Sequence, residues 1–316
     1  MPAPCFTSMH SLTIGTRGSQ LALWQARWVE QQLQSRGIAT RIEIIKTTGD
    51  KITDVALAKV GASAGLKGVF TKEIEEALLE GQIDLAVHSL KDLPADLDER
   101  LELGAIPERA DPRDALVGRT LDELRPGAKV GSSSLRRAAQ LRHLRPDLAV
   151  ENIRGNIDTR LRKLDEGLYD AILLAAAGLH RMGWQDRIAE TLDPEFMAPA
   201  IGQGALGIEI RAGDDTTRRI LEPLNHPETA ATTAAERALL RALGGGCQVP
   251  LGGYARLDAG RLRLAAVVVS PDGSTLVRTA VQGPGGDPVS VGQQAAERLR
   301  AQGAEEIIRG VLDAAT

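Results

Sequence analysis

Aromatic side chains are scarce in this 316-residue chain, at 3% of the total. Proteins that read bases or sugars by stacking need exposed rings, so recognition here has to be mainly polar or ionic. Cysteine is scarcer still, with only Cys5 and Cys247. The two lie too far apart in sequence to read as a metal-ligand pair, and they permit no disulfide framework beyond one bridge. The formal net charge is −4, so no global positive excess points to nucleic acid or to an acidic membrane surface. No run approaches the length of a membrane span. The opening MPAPCFTSMHSLTIGTRGS lacks the basic region and apolar core of a signal peptide. These absences predict a cytoplasmic protein that engages neither membrane nor nucleic acid. The Gly-x-Gly-x-x-Gly fingerprint after the first strand and the P-loop are both missing, which sets aside dinucleotides and ATP.

What is present alternates strand and helix. SLTIGT predicts a strand, SQLALWQARWVEQQLQSRG an amphipathic helix ending at Gly37, and TRIEIIKT a second strand. FTKEIEEALLEGQ predicts a helix and IDLAVHS a buried strand. The middle third repeats the logic: AKVG and LAVENIR read as strands, SLRRAAQLRHLR and IDTRLRKLDEG as helices, and YDAILLAAAGL as a strand running into a short helix. IPERADPRDALVG, broken by Pro107 and Pro112, reads as the connection between the two units, and PAIGQGALGIEIR as an apolar strand returning to the first. Beyond it come a long Ala-rich helix in PETAATTAAERALLRALGGG, a meander turning at Asp272-Gly273, and a last helix in QQAAERLRAQG. The expected class is α/β: two α/β domains with mostly parallel sheets, then a smaller α+β C-terminal domain. The expected boundaries are 11–106 with 203–222, 110–198, and 227–316.

Ligands of such sheets bind beyond the carboxyl ends of the strands. At those positions the chain offers GTRGS (Thr16, Arg17, Ser19), HSLKDLP (Ser89, Lys91, Asp92), GSSSLRR (Ser132, Ser133, Ser134, Arg136, Arg137), RGNIDTR (Arg154, Asn156, Arg160) and GLHRMG (Arg181). Helix N-termini attract anions through unpaired N–H groups, and arginine adds a planar fork that matches a carboxylate or phosphate. From Arg125 to Lys163 there are ten Lys or Arg against three Asp or Glu. The expected ligand is a polyanion. Each feature alone has a structural explanation: the serines can be N-caps, Arg142, Arg145, Arg162 and Lys163 can coat solvated helix faces, and His88 reads as a satisfied interior histidine. Five strand ends of one chemical type do not reduce to such separate accidents.

Two residues stand apart. Asp92 is a carboxylate among cations, there either for a salt bridge or N-cap or to stabilise positive charge that develops on a substrate. Cys247 follows Gly244, Gly245 and Gly246, so it is either a thiol that a bulky partner can approach closely or an inert packed one beside a helix C-cap.

TRGSQLALWQA, AVHSLKDLP, DPRDALV, GSSSLRRAAQL, RGNIDTRL, AIGQGALGIE and GGGCQVPLG together resemble the hydroxymethylbilane synthase (porphobilinogen deaminase) family, in the expected order over residues 12–255. The resemblance implies two periplasmic-binding-protein-like α/β domains facing across a cleft, with a third domain carrying the cysteine loop. It implies that Cys247 carries a dipyrromethane cofactor through a thioether. That primer is extended by four porphobilinogen units with loss of ammonia, and water then releases hydroxymethylbilane. By the same resemblance Lys91, Ser133, Ser134, Arg136, Arg137 and Arg160 bind the cofactor, and Arg17, Ser19, Arg154 and Arg181 bind substrate. Asp92 is the catalytic carboxylate, steadying the cationic azafulvene-like electrophile and moving protons. The resemblance further implies a monomer that hands its product to the next enzyme of tetrapyrrole synthesis, with no metal. One departure is the loop KVGASAGLKGVF, longer than the family's compact Gly-rich loop, which leaves Lys67 and Phe70 without an assigned contact. The competing readings are a non-catalytic binding protein for a small polycarboxylate, which leaves Cys247 and Asp92 without a task, and an RNA-binding protein, which lacks the aromatics.

Overall fold

The computed structural model describes residues 11–48, 71–244 and 249–313. Cys247, Lys67 and Phe70 lie outside the described residues. The first unit opens with β1 (Leu12–Thr16), α1 (Gln20–Gln34) and β2 (Thr40–Ile44), followed by α2 (Lys72–Leu79), β3 (Leu85–Ser89) and β4 (Leu101–Ala105). β1 is buried along its whole length because both faces of its sheet are covered. Leu12 and Ile14 pack on Ala26, Val29 and Leu33 of α1, while Ile83 and Ala86 pack on Ile74, Ala77 and Leu78 of α2. Continuous apolar runs such as IDLAVHS follow from that two-sided cover.

The chain then enters the second unit with β5 (Asp114–Val117), β6 (Lys129–Gly131), α3 (Leu135–Leu144), β7 (Ala149–Glu151), α4 (Ile157–Asp165), β8 (Ala171–Ala175), α5 (Ala176–Arg181) and β9 (Ile188–Thr191). It returns to the first sheet through β10 (Leu206–Arg211). The strand orders are β2-β1-β3-β10-β4 and β7-β6-β8-β5-β9. In each sheet the first three strands are parallel, but β10 runs antiparallel to β3 and β4, and β5 antiparallel to β8 and β9. The expectation of mostly parallel sheets holds in strand direction, four strands of five pointing one way in each sheet, and the one reversed strand is in each case a segment arriving from the other unit, which enters from the opposite end. β5 also occupies the end of the stretch read from sequence as pure connection, where only DALV, four residues long, is strand. The strand read from Pro199 begins only at Leu206, since Gly202 and Gly204 adopt positive φ of 71° and 88° before it.

The two crossing segments touch at Gly204. A Cβ there would lie 2.5 Å from the carbonyl oxygen of Ala110, and the Ala110 N–H donates to the Gly204 carbonyl at 3.2 Å. Only glycine tolerates both that approach and that φ.

α6 (Asp215–Leu221) follows β10, and the third unit consists of α7 (Pro227–Ala242), an antiparallel sheet of β11 (Leu251–Asp258), β12 (Arg261–Val269) and β13 (Leu276–Pro284), then α8 (Pro288–Arg300) and α9 (Ala304–Asp313). α6 packs with the first unit, through Leu221 against Ala105 and Ile210. Inward residues of β12 (Leu262, Leu264, Ala266, Val268) meet Ala235 and Leu239 of α7 and Val291, Ala295 and Leu299 of α8. This alternation is the period-two pattern of a half-buried sheet. α7 is pinned to the first unit: Arg237 Nη2 donates to the carbonyls of Pro94 (2.7 Å) and Ala95 (3.1 Å), and Arg241 Nε donates to Asp96 at 2.6 Å. Its C-terminal end is thus tied next to the loop that follows Asp92.

Candidate active site

The carboxyl ends of β1, β3 and β8 and the loop after β7 face a cleft of about 280 Å³ between the two large sheets. Ser19 caps α1, its Oγ accepting the Ala22 N–H at 3.3 Å, and the cap fixes the turn from which Arg17 also reaches the cleft. After β3 the chain makes a single tight turn, Leu90–Asp92, whose anchor is the fully buried Leu90. The turn leaves Lys91 and Asp92 lining the cleft. From the second unit come Arg137, Arg160 at the first turns of α4, and Arg181 at the end of α5. The lining carries the cations Arg17, Lys91, Arg137, Arg160 and Arg181 against the carboxylates Asp92 and Asp158.

That imbalance is visible in the groups themselves. Burial pushes Arg160 down to about 10, with the like charge of Arg137 adding to it, and burial pushes Arg181 to about 10 as well. Among the described residues neither meets a carboxylate. Arg160 Nε donates to the Gly155 carbonyl at 2.8 Å and Arg181 Nη2 to the Gly204 carbonyl at 2.7 Å. Arg181 also stands 6.0 Å from the ring centre of Trp24, across the cleft. Lys91 is lowered to about 8, by burial first and by Arg137 next, against the pull of Asp92. Partly dehydrated guanidinium groups without counter-ions form a site prepared for an anion that brings its own negative charges.

Behind the cleft wall lies a network that the sequence reading did not anticipate. Asp114, fully buried at the start of β5, accepts from Arg136 Nη1 at 2.6 Å and from Arg137 Nε at 2.8 Å. Burial works to raise its carboxyl, but the two guanidinium groups outweigh burial and hold it well below the usual carboxylate range. Gln203 locks the arrangement: its Nε2 donates to Asp114 (2.8 Å) and to the Pro112 carbonyl (2.8 Å), and its Oε1 accepts from Arg137 (3.2 Å) and Lys91 (3.5 Å). Its own carbonyl accepts from Arg109 Nε at 2.8 Å, and Arg109 pairs with the buried Glu236 of α7. One glutamine thus joins all three units.

The structure brings together Arg17, Ser19, Lys91, Asp92, Arg137, Arg160 and Arg181. It does not bring the others to the same surface. Arg136 points away, held by Asp114 and the Ala198 carbonyl at 2.6 Å. Ser134 is spent as the N-cap of α3, accepting from the Arg137 N–H at 3.4 Å. Ser133 and Arg154 are outside the cleft lining. His88, read as a satisfied interior histidine, is buried, but among the described residues its Nε2 has no hydrogen-bond partner, because the acid beside it is misaligned.

Gln25, Asp114 and Gln203 were missed. Gln25 is buried with Ala26, Val29 and Leu33 on the inward face of α1 and donates to Ser89 Oγ at 2.9 Å. Its signal was an amide placed on a helix face otherwise filled by apolar residues. Gln203 stood between two glycines, and Asp114 ended the motif DPRD.

Residues 12–219 match a family model described as porphobilinogen deaminase, dipyromethane cofactor binding domain, and residues 230–301 match porphobilinogen deaminase, C-terminal domain. The chain is 52% identical to a porphobilinogen deaminase of Syntrophobacter fumaroxidans, over 95% of this chain and 97% of the relative. It is 54% identical to that of Gloeobacter violaceus, over 94% and 93%, and 51% identical to that of Pelobacter propionicus, over 95% and 97%. Among solved structures, the methionine binding protein MetQ overlays 73% of this chain and 96% of its own at a TM-score of 0.43 and 11% identity, too distant to carry an argument.

Proposed function

The chain belongs to the porphobilinogen deaminase family, and on that premise we propose that Asp92 is its catalytic carboxylate and Cys247 the anchor of its cofactor. The activity is that of a transferase of tetrapyrrole synthesis: four porphobilinogen molecules are joined head to tail, with loss of ammonia, into linear hydroxymethylbilane. The observation that carries the assignment is the cleft itself, with five cations and the single turn that presents Asp92 among them.

The residues present fit a dipyrromethane. Each pyrrole of that group bears two carboxylates, and the cleft offers Arg160 and Arg181 partly dehydrated and, among the described residues, with no carboxylate of their own. Bound at Cys247, the dipyrromethane supplies a nucleophilic pyrrole carbon and keeps the growing chain attached. The chain's own residues do the rest. Lys91, Arg137 and Arg160 hold the primer carboxylates, and Arg17, Ser19 and Arg181 hold those of the incoming substrate. Arg136 acts from behind, fixing Arg137 through Asp114. Ser133, Ser134 and Arg154 stand on the same strand-end loops but outside the cleft lining, and a lengthening chain would have to extend beyond the cleft to reach them. Asp92 lies where the substrate's aminomethyl carbon becomes positive as ammonia departs, and its carboxylate offsets that charge and exchanges the proton. A fixed carboxylate serving every addition requires the chain to shift past it.

We divide the molecule into domains at 11–106 with 203–222, 110–198 and 227–316, following the three sheets. A thiol that must stay free to bond favours a reducing compartment, so we place the protein in the cytoplasm. Among the described residues no helix is long and apolar enough to cross a membrane. The exposed large apolar side chains Trp24, Ile44, Leu168, Phe196, Val289 and Leu312 sit on six different segments, which favours a monomer passing its product to the next enzyme.

Intact mass of the freshly purified protein under denaturing conditions tests the reading. An excess equal to two linked pyrrole rings, mapped to Cys247 and absent from Cys247→Ser, is expected. An unmodified Cys247 that stays unmodified after incubation with porphobilinogen refutes it.

A further inference from the structure

Beneath the turn that presents Asp92 the structure buries a histidine and two acids that the mechanism above does not use. His88 lies in β3, four residues before Asp92. Its Nε2 is 3.2 Å from Oε2 of Glu209 on β10, with the two side chains 4% and 0% exposed. The strand register explains the meeting. Gly207 stands opposite His88 and Glu209 opposite Ala86, so His88 and Glu209 are diagonal neighbours on one face, while the space over Gly207 is filled by Leu90, Leu93 and Leu103.

The approach is close but unaligned. Among the described residues His88 Nε2, both carboxylate oxygens of Glu209 and one of Glu75 on α2 have no hydrogen-bond partner. A buried carboxylate without hydrogen bonds is stable only when neutral or beside a cation, and the imidazole becomes that cation only by holding a proton. The other charged groups facing the pair are Glu75 from α2, whose carboxyl is raised by burial and then by Glu209, and Arg237 from α7, which feels the charge of Glu209. On the ligand side, a small cavity of about 60 Å³ joins His88 to Asp92, Arg17 and Ser89. Asp92, Arg17 and Ser89 also line the main cleft.

We propose that His88 and Glu209 share one buried proton and that its presence or loss sets the charge beneath Asp92, which makes His88 a positioning residue for the deamination step. The inference rests on the assignment of Asp92 made above. With the proton in place the pair is neutral overall. Once the proton leaves, the pair adds a negative charge under the turn, so the electrostatic setting in which Asp92 faces developing positive charge changes. The main effect falls on kcat, because neither member of the pair lines the main cleft in which the substrate carboxylates are held.

The test is the pH dependence of kcat and KM for primer-loaded wild type, Glu209→Gln and His88→Asn. A titration step in the wild-type kcat profile should vanish in Glu209→Gln and move by about one pH unit in His88→Asn, with KM within about two-fold for all three. Profiles that superimpose on wild type, or changes confined to KM, overturn the inference. Should neither variant fold, the wild-type protein still decides it: among its five histidines, one imidazole N–H must resist exchange with solvent in a 15N-histidine spectrum, and the absence of any such proton overturns the proposal. An active, primer-loaded wild type with unmoved variant profiles sinks this inference alone, whereas a wild type without primer or turnover sinks the assignment of the site and this inference with it.

Discussion

Replacing Asp114 by Asn removes one charge and almost no volume, and the structure gives the consequence. Asp114 is 0% exposed and holds two guanidinium groups, those of Arg136 and Arg137, which are 5% and 7% exposed. With an amide in its place both arginines remain buried with no carboxylate, and one amide N–H₂ faces them as a competing donor. Breaking a buried ion pair from one side costs about 3–5 kcal/mol, and this acid serves two cations, so the upper part of that range applies. The loss should be local to the second domain. Amide exchange of β8, whose Leu173 carbonyl accepts from Arg137 Nη1, should accelerate by roughly two to four orders of magnitude, while exchange in β12 of the third domain stays as it was. The pH dependence has a fixed sign. The native-state carboxyl is held below its unfolded value, so its contribution is present above the unfolded value of about 4 and is lost as pH falls through the native one. The gap between wild type and Asp114→Asn should therefore be full at pH 7 and shrink below about pH 4. A change in β8 exchange under about ten-fold at pH 7, or a gap that grows in acid, would refute the reasoning.

Other perturbations separate binding from chemistry. Asp92→Asn should retain its covalent primer and bind porphobilinogen while kcat falls by about 10²–10⁴; turnover within ten-fold of wild type, measured by single-turnover quench, would remove Asp92 from the mechanism. Because burial holds Lys91 at about 8, its charge is present below that pH and lost above it, so its hold on the primer carboxylates should weaken and kcat fall as pH passes 8, and Lys91→Arg should flatten that fall. Gly204→Ala places a Cβ 2.5 Å from the Ala110 carbonyl at a φ of 88°. It should lower thermal stability by about 1–3 kcal/mol, seen by calorimetry, and an unchanged melting temperature would show that the crossing segments part easily.

Much of the fold was written locally. The period-3.6 stripe of α1, the apolar run of β3 and the turn at Asp272-Gly273, where Gly273 takes a φ of 80°, depend on residues near one another in the chain. Short-range rules therefore found them. The cleft residues were equally legible as a class, since Arg17, Lys91, Asp92, Arg160 and Arg181 follow strand ends and the α/β architecture sends strand ends to one side. β4, β5 and β9 were not found, because each becomes a strand by pairing with a segment distant in the chain rather than by a pattern of its own. The second C-terminal helix, α9, also escaped notice.

What the sequence determined by itself was the chemistry on offer: cationic strand-end loops, one carboxylate among them, a cysteine behind three glycines, and motifs particular to one family. What only tertiary structure decided was which groups are free to act. Arg136 and Arg137 are adjacent, identical in kind and both bonded to Asp114, yet one is also turned onto the Ala198 carbonyl while the other reaches the cleft. His88 meets Glu209 across 121 residues of chain because β10 returns antiparallel beside β3. Pairings of that kind are set by strand register and crossing order, and neither is encoded in the residues immediately around the groups that meet.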